Sequence, residues 1–67
     1  MPKLYSSNKI VRVLERKSFR FVSQRGSHLK FSSASRVVIV PANRREVPVG
    51  TFRSILRQSG LSESDFS

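Results

Sequence analysis

The chain has 67 residues, with 13 Lys and Arg against four acids, a formal charge of +9, one His and no Cys. That is enough for one small domain, and it excludes a disulfide framework or a thiolate metal site; one His and four acids make a poor metal cage, so no cofactor is expected. The longest apolar run, Val37 to Val40, falls far short of the ~20 residues of a membrane span, and the first residues lack a signal-peptide core; a soluble, cytoplasmic protein with no membrane partner is expected.

Residues 1–6 read as a loose leader, with Tyr5 exposed. Ser6 or Ser7 can cap a helix by accepting a free backbone N–H. The first helix then runs to about Lys17, with Ile10, Val11, Val13 and Leu14 on one broad face and Lys9, Arg12 and Arg16 on the other. Phe19 to Ser23 alternates as a strand with both Phe on one face. Gln24-Arg25-Gly26-Ser27 reads as a hairpin loop in which Gly26 can take positive φ. The second strand, His28 to Ser32, points Leu29 and Phe31 one way and His28 and Lys30 the other. Ser33-Ala34-Ser35 turns the chain into a third strand, Arg36 to Val40, ended by Pro41.

After a loop from Asn43 to Gly50, a second helix is predicted from about Thr51 to Ser59, burying Phe52, Ile55 and Leu56 and ending at Gly60. Ser62-Glu63-Ser64-Asp65 has the form of a capping box, so a last helix is expected to begin near residue 62 and to be cut short at Ser67. The whole, 1–67, reads as a single α+β domain of order α-β-β-β-α. A three-stranded antiparallel meander with both helices on the face of Phe21, Leu29 and Phe31 leaves His28 and Lys30 uncovered. This is the layout of a double-stranded-RNA-binding domain, an analogy of fold and not of function.

The positive charge is unevenly spread. Residues 1–45 hold eleven Lys and Arg and one acid; residues 46–67 hold two Arg and three acids. A field of this kind attracts polyanions, nucleic acid first. A lone His is most often an ordinary surface residue, but His28 has two unusual neighbours. Gly26 and Ser27 offer backbone N–H groups and a hydroxyl that could hold a phosphate. Arg25 and Lys30 flank it and suit phosphate oxygens.

Imidazole is the side chain that can accept a proton near neutral pH. The chemistry that fits is attack of an RNA 2′-hydroxyl on the adjacent phosphate, with His28 as base and Arg25 or Lys30 stabilising the developing charge. DNA lacks that hydroxyl. Ser27 is disfavoured as a nucleophile, because neighbours on a strand point apart and no acid orients the imidazole. Lys9, Arg12 and Arg16 could track a phosphate backbone. Arg44, Arg45 and Arg53 lie near the predicted start of the second helix, where Gly50 and Thr51 add N–H groups. Phe19, Phe21, Phe31 and Phe52 are at core spacings and not at those of base-stacking platforms.

Two blocks of residues together carry a resemblance. Gln24-Arg25-Gly26-Ser27-His28, followed by a hydrophobic strand ending in Val40-Pro41 and then by Val49-Gly50-Thr51-Phe52-Arg53-Ser54-Ile55-Leu56-Arg57-Gln58-Ser59-Gly60-Leu61, resembles the HicA toxin family from about Asn8 to Phe66. The resemblance implies an mRNA interferase of a type II toxin–antitoxin system with a double-stranded-RNA-binding-like fold. It implies that His28 matches the His required for toxicity. It further implies metal-independent and ribosome-independent cleavage of RNA, and a HicB-like antitoxin that covers His28 and the basic face. DNA would be reached only through that antitoxin. Many members carry another His where this chain has Leu29, so His28 acts here without a second imidazole. Two rival readings need no chemistry at His28: a non-catalytic RNA-binding module using the basic surface, or an interaction domain for an acidic protein.

Overall fold

The computed structural model describes residues 3–67. The first helix, α1 (Ser7–Arg16), starts where the Ser6 hydroxyl accepts the Lys9 N–H at 3.1 Å. Ile10, Val13 and Leu14 are buried, as the helical period requires. Its end is a Schellman turn. Ser18 adopts φ 71°, its N–H donates to the Glu15 carbonyl at 3.1 Å, and the Phe19 N–H donates to the Leu14 carbonyl at 2.9 Å. That geometry turns the chain back under the helix and buries Phe19.

Strands β1 (Arg20–Arg25), β2 (His28–Ser33) and β3 (Arg36–Pro41) follow and pair antiparallel in the order β1-β2-β3. α2 (Val49–Ser59) begins two residues earlier than its spacing indicates, because Pro48 at φ −56° already leads into the helix. Gly60, at φ 74°, ends it. A β-carbon there would stand 2.7 Å from the Arg36 guanidinium carbon, a flexible side-chain end that can move aside, so it is the positive φ that calls for glycine. The order is therefore α-β-β-β-α, an α+β fold with a three-stranded antiparallel sheet, as expected. Among the described residues no helix is long and apolar enough to cross a membrane.

The core lies between the helices and one face of the sheet. Phe31, Val38 and Val40 meet Ile10, Val13 and Leu14 from α1 and Phe52 and Ile55 from α2. Burying one such side chain contributes about 1.5–3 kcal/mol.

Three expectations need correction. Tyr5 is not exposed: it is buried at 8%, its ring 5.1 Å from Phe52 and 6.1 Å from Phe66, and its carbonyl accepts the Val47 N–H at 2.8 Å. Met1 and Pro2 of the expected leader lie outside the described residues, but Tyr5 anchors the chain before α1. Phe21 does not share the buried setting of Phe19. It is 55% exposed, beyond the reach of the helices, with its ring edge-on to Phe31 at 5.8 Å.

The last element is not the start of an α-helix but a single 3-10 turn, Glu63–Phe66. Its capping box forms as the sequence indicates, with the Ser62 N–H donating to Asp65 Oδ2 at 2.9 Å. That bond, with the Ser62 hydroxyl and the Lys17 ammonium 3.3 Å away, holds the Asp65 carboxyl below its ordinary pKa of 3.8. The turn inserts Phe66 fully into the core.

Candidate nucleic-acid interface

Strand alternation sends His28 and Lys30 to the side opposite Leu29 and Phe31. Both are exposed, on the face that neither helix covers. Regular alternation from Phe21 would place Arg25 on the covered face. It does not, because the register shifts between Phe21 and Ser23: Phe21 pairs with Phe31, but Ser23 pairs with Lys30 and Arg25 with His28. The bulge adds Val22 as an unpaired residue and moves everything after it to the other face. Cross-strand partners stand with Cβ atoms roughly 5 Å apart.

Two rows therefore run across the open face, Arg25–His28–Pro41 and Ser23–Lys30–Ile39. Together Ser23, Arg25, His28, Lys30 and Ile39 line an open depression of about 490 Å³, with no acid in its wall.

The turn that sets this geometry is Gly26-Ser27. Arg25 and His28 are its closing pair. Gly26 adopts φ 58° while Ser27 is absent from the positive-φ residues. Glycine at the first central position of a two-residue hairpin is what a type II′ turn needs. The Gln24 side-chain amide donates to the Gly26 carbonyl at 2.9 Å, and the Ala42 N–H donates to the Ser27 carbonyl at 2.7 Å. The loop beside His28 is thus tied to both neighbouring strands. Among the described residues, no side chain is hydrogen-bonded to the imidazole itself.

The other cationic candidates divide. Arg44 joins His28 in a second cleft, between β3 and α2. Arg53 lies elsewhere, lining a small recess with Lys3 and Tyr5. Lys9, Arg12 and Arg16 are on α1, and none of them lines either cleft that His28 lines. Arg45 is exposed and lines neither. The structure thus brings Arg25, His28, Lys30 and Arg44 together, with Gly26 and Ser27 in the adjoining turn.

Several residues of this surface were not among the sequence candidates. Val37 and Ile39 stand exposed at 46% and 37% on the open face. Ser54 and Gln58 line the second cleft, together with Thr51, of which the sequence offered only the backbone N–H. The phase of β3 could have flagged Ile39, since Val38 and Val40 take the buried positions. The α2 residues carry no local signal of their nearness to His28.

A small α+β domain with a basic sheet face left open around one imidazole defines the class. Residues 7–61 match the family described as HicA toxin of bacterial toxin-antitoxin. That match spans most of the chain, and the chain belongs to the HicA toxin family. It is thus the toxin member of a toxin–antitoxin system, and membership implies an antitoxin as its partner. No curated protein matches the chain.

Proposed function

We propose that this toxin is a metal-independent endoribonuclease, an mRNA interferase formed by residues 1–67 as one cytoplasmic domain, with His28 as its general base. One observation carries the reading: His28 stands exposed on the uncovered sheet face with Arg25 opposite it on β1 and Lys30 two residues along β2. Nothing in the packing of the core calls for that grouping, and the two cations that flank the imidazole, Arg25 and Lys30, repel one another unless an anion joins them.

The reaction follows from the groups present. His28 takes the proton of a 2′-hydroxyl as its oxygen bonds to phosphorus. Arg25 and Lys30 stabilise the charge that develops on the phosphoryl oxygens. The bond to the 5′-oxygen breaks, and that oxygen leaves with a proton from Lys30, from water or from the imidazolium just formed. The products are a 2′,3′-cyclic phosphate and a 5′-hydroxyl. A HicB-like antitoxin silences the toxin by covering His28 and the basic face, where exposed Val37 and Ile39 offer apolar contact beside the cations.

A second reading is favoured by one observation: no side chain among the described residues orients the imidazole. A non-catalytic RNA-binding module would need no such partner. The two readings separate on an RNA with a single 2′-deoxy nucleotide, incubated with the protein in EDTA. The ribonuclease leaves cyclic-phosphate ends and spares the bond after the deoxy position. A binding module retains the RNA and leaves every bond uncut.

A further inference from the structure

The depression around His28 does not end at β3. A cleft of about 320 Å³ continues from it toward α2, and His28 and Ile39 line both. Arg44, Thr51, Ser54 and Gln58 form its far side. No acid lines it.

This far side is fixed by packing. Ser7, only 2% exposed, donates its N–H to the Arg44 carbonyl at 2.9 Å and accepts the Arg44 N–H on its hydroxyl at 3.0 Å. The same hydroxyl donates to the Pro41 carbonyl. The backbone of Arg44 is thereby pinned while its side chain remains exposed. Thr51, Ser54 and Gln58 recur along one stripe of α2. Gln58 Oε1 accepts the outward N–H of Ile39 at 2.8 Å, which seals the edge of β3 and commits that oxygen. The amide nitrogen of Gln58 keeps its donors. Arg57 donates to the Ser54 hydroxyl at 3.1 Å, which brings another guanidinium near the cleft.

The side chains along this wall are therefore rich in donors: the Arg44 guanidinium, two hydroxyls and an amide nitrogen. We propose that the β3–α2 cleft is a nucleotide subsite that holds the residue of the RNA strand next to the scissile phosphate. Arg44 binds its phosphate, the Thr51 and Ser54 hydroxyls share that phosphate or the ribose, and Gln58 offers its amide N–H groups. The strand crosses the sheet from Arg25, over His28, to α2. This rests on the reading of the open face as an RNA site and adds the direction of the strand and a set of binding residues on α2.

The test is binding of a fluorescent 2′-O-methyl RNA hexamer, which cannot be cut, followed by anisotropy at rising salt. Wild type is compared with Arg44→Ala, with the double variant Thr51→Val/Ser54→Ala, and with Lys3→Ala, which removes an equal charge from a separate recess. Arg44→Ala is expected to bind roughly tenfold more weakly, with the slope of log affinity on log salt reduced by about 0.7. The double variant weakens binding with the slope unchanged, and Lys3→Ala stays near wild type. Thermal midpoints confirm that each variant is folded, and the two cleft variants report independently. If wild type binds RNA but Arg44→Ala behaves as Lys3→Ala does and the hydroxyl variant is unaffected, the subsite is wrong and the ribonuclease reading stands. If wild type binds no RNA, both are wrong.

Discussion

The two faces of one sheet are built from the same three strands and put to opposite uses. On the covered face, Phe31, Val38 and Val40 are sealed beneath α1 and α2. On the other, His28, Lys30 and Ile39 from the same strands stand in solvent, with Arg25 brought beside them by the β1 bulge. The covered face is accounted for by burial alone. The open face is not, since clustering cations around an imidazole adds repulsion and no burial. That difference is why the proposed site is placed on the side where folding demands least.

Substitutions on the two faces should separate stability from activity. The largest effect is expected from Phe31→Ala. Removing a fully buried aromatic side chain costs about 3–5 kcal/mol, a large share of the 5–15 kcal/mol typical of a whole domain; urea unfolding measures it. His28→Ala should reduce RNA cleavage by about 10²–10⁴-fold while shifting stability by no more than about 0.5 kcal/mol. A comparable loss of stability in this variant would mean that the open face is structural after all.

Smaller effects test the turns that hold the faces in place. Ser18 occupies the left-handed region at φ 71°, which costs a non-glycine residue about 1–2 kcal/mol; Ser18→Gly should recover about 1 kcal/mol of that, read as a rise in the thermal midpoint. The smallest effect is that of pH. Asp65 has a folded pKa below its ordinary 3.8, so its contribution is complete above that value. It disappears as pH falls through the folded pKa, when the capping carboxylate is protonated. An acid titration of the thermal midpoint should show this loss, and Asp65→Asn should abolish it.

Local pattern made much of this fold legible. The alternation of β2 assigns Leu29 and Phe31 to one face and His28 and Lys30 to the other. Ser6, Gly26 and Gly60 mark the boundaries they cap or turn. What stayed hidden depends on contacts distant in sequence or on backbone irregularity. The bulge at Val22 leaves no compositional mark, so the placement of Arg25 opposite His28 emerges only from the register. Tyr5 reads as a lone aromatic ahead of the first helix, yet Phe52 and Phe66 pack against it. Arg44 reaches the neighbourhood of His28 through a hydrogen bond to Ser7, 37 residues away. The motif around His28 was thus readable as a candidate, while the cleft it belongs to required the tertiary structure.

The central claim is that His28 serves chemistry and not folding. The most direct measurement pairs two readings on the same samples of wild type and His28→Ala: the thermal midpoint, and cleavage of an end-labelled single-stranded RNA in EDTA. The account predicts closely similar midpoints, cleavage by wild type, and cleavage by His28→Ala slowed by at least about 10²-fold. Equal cleavage by both proteins would contradict it.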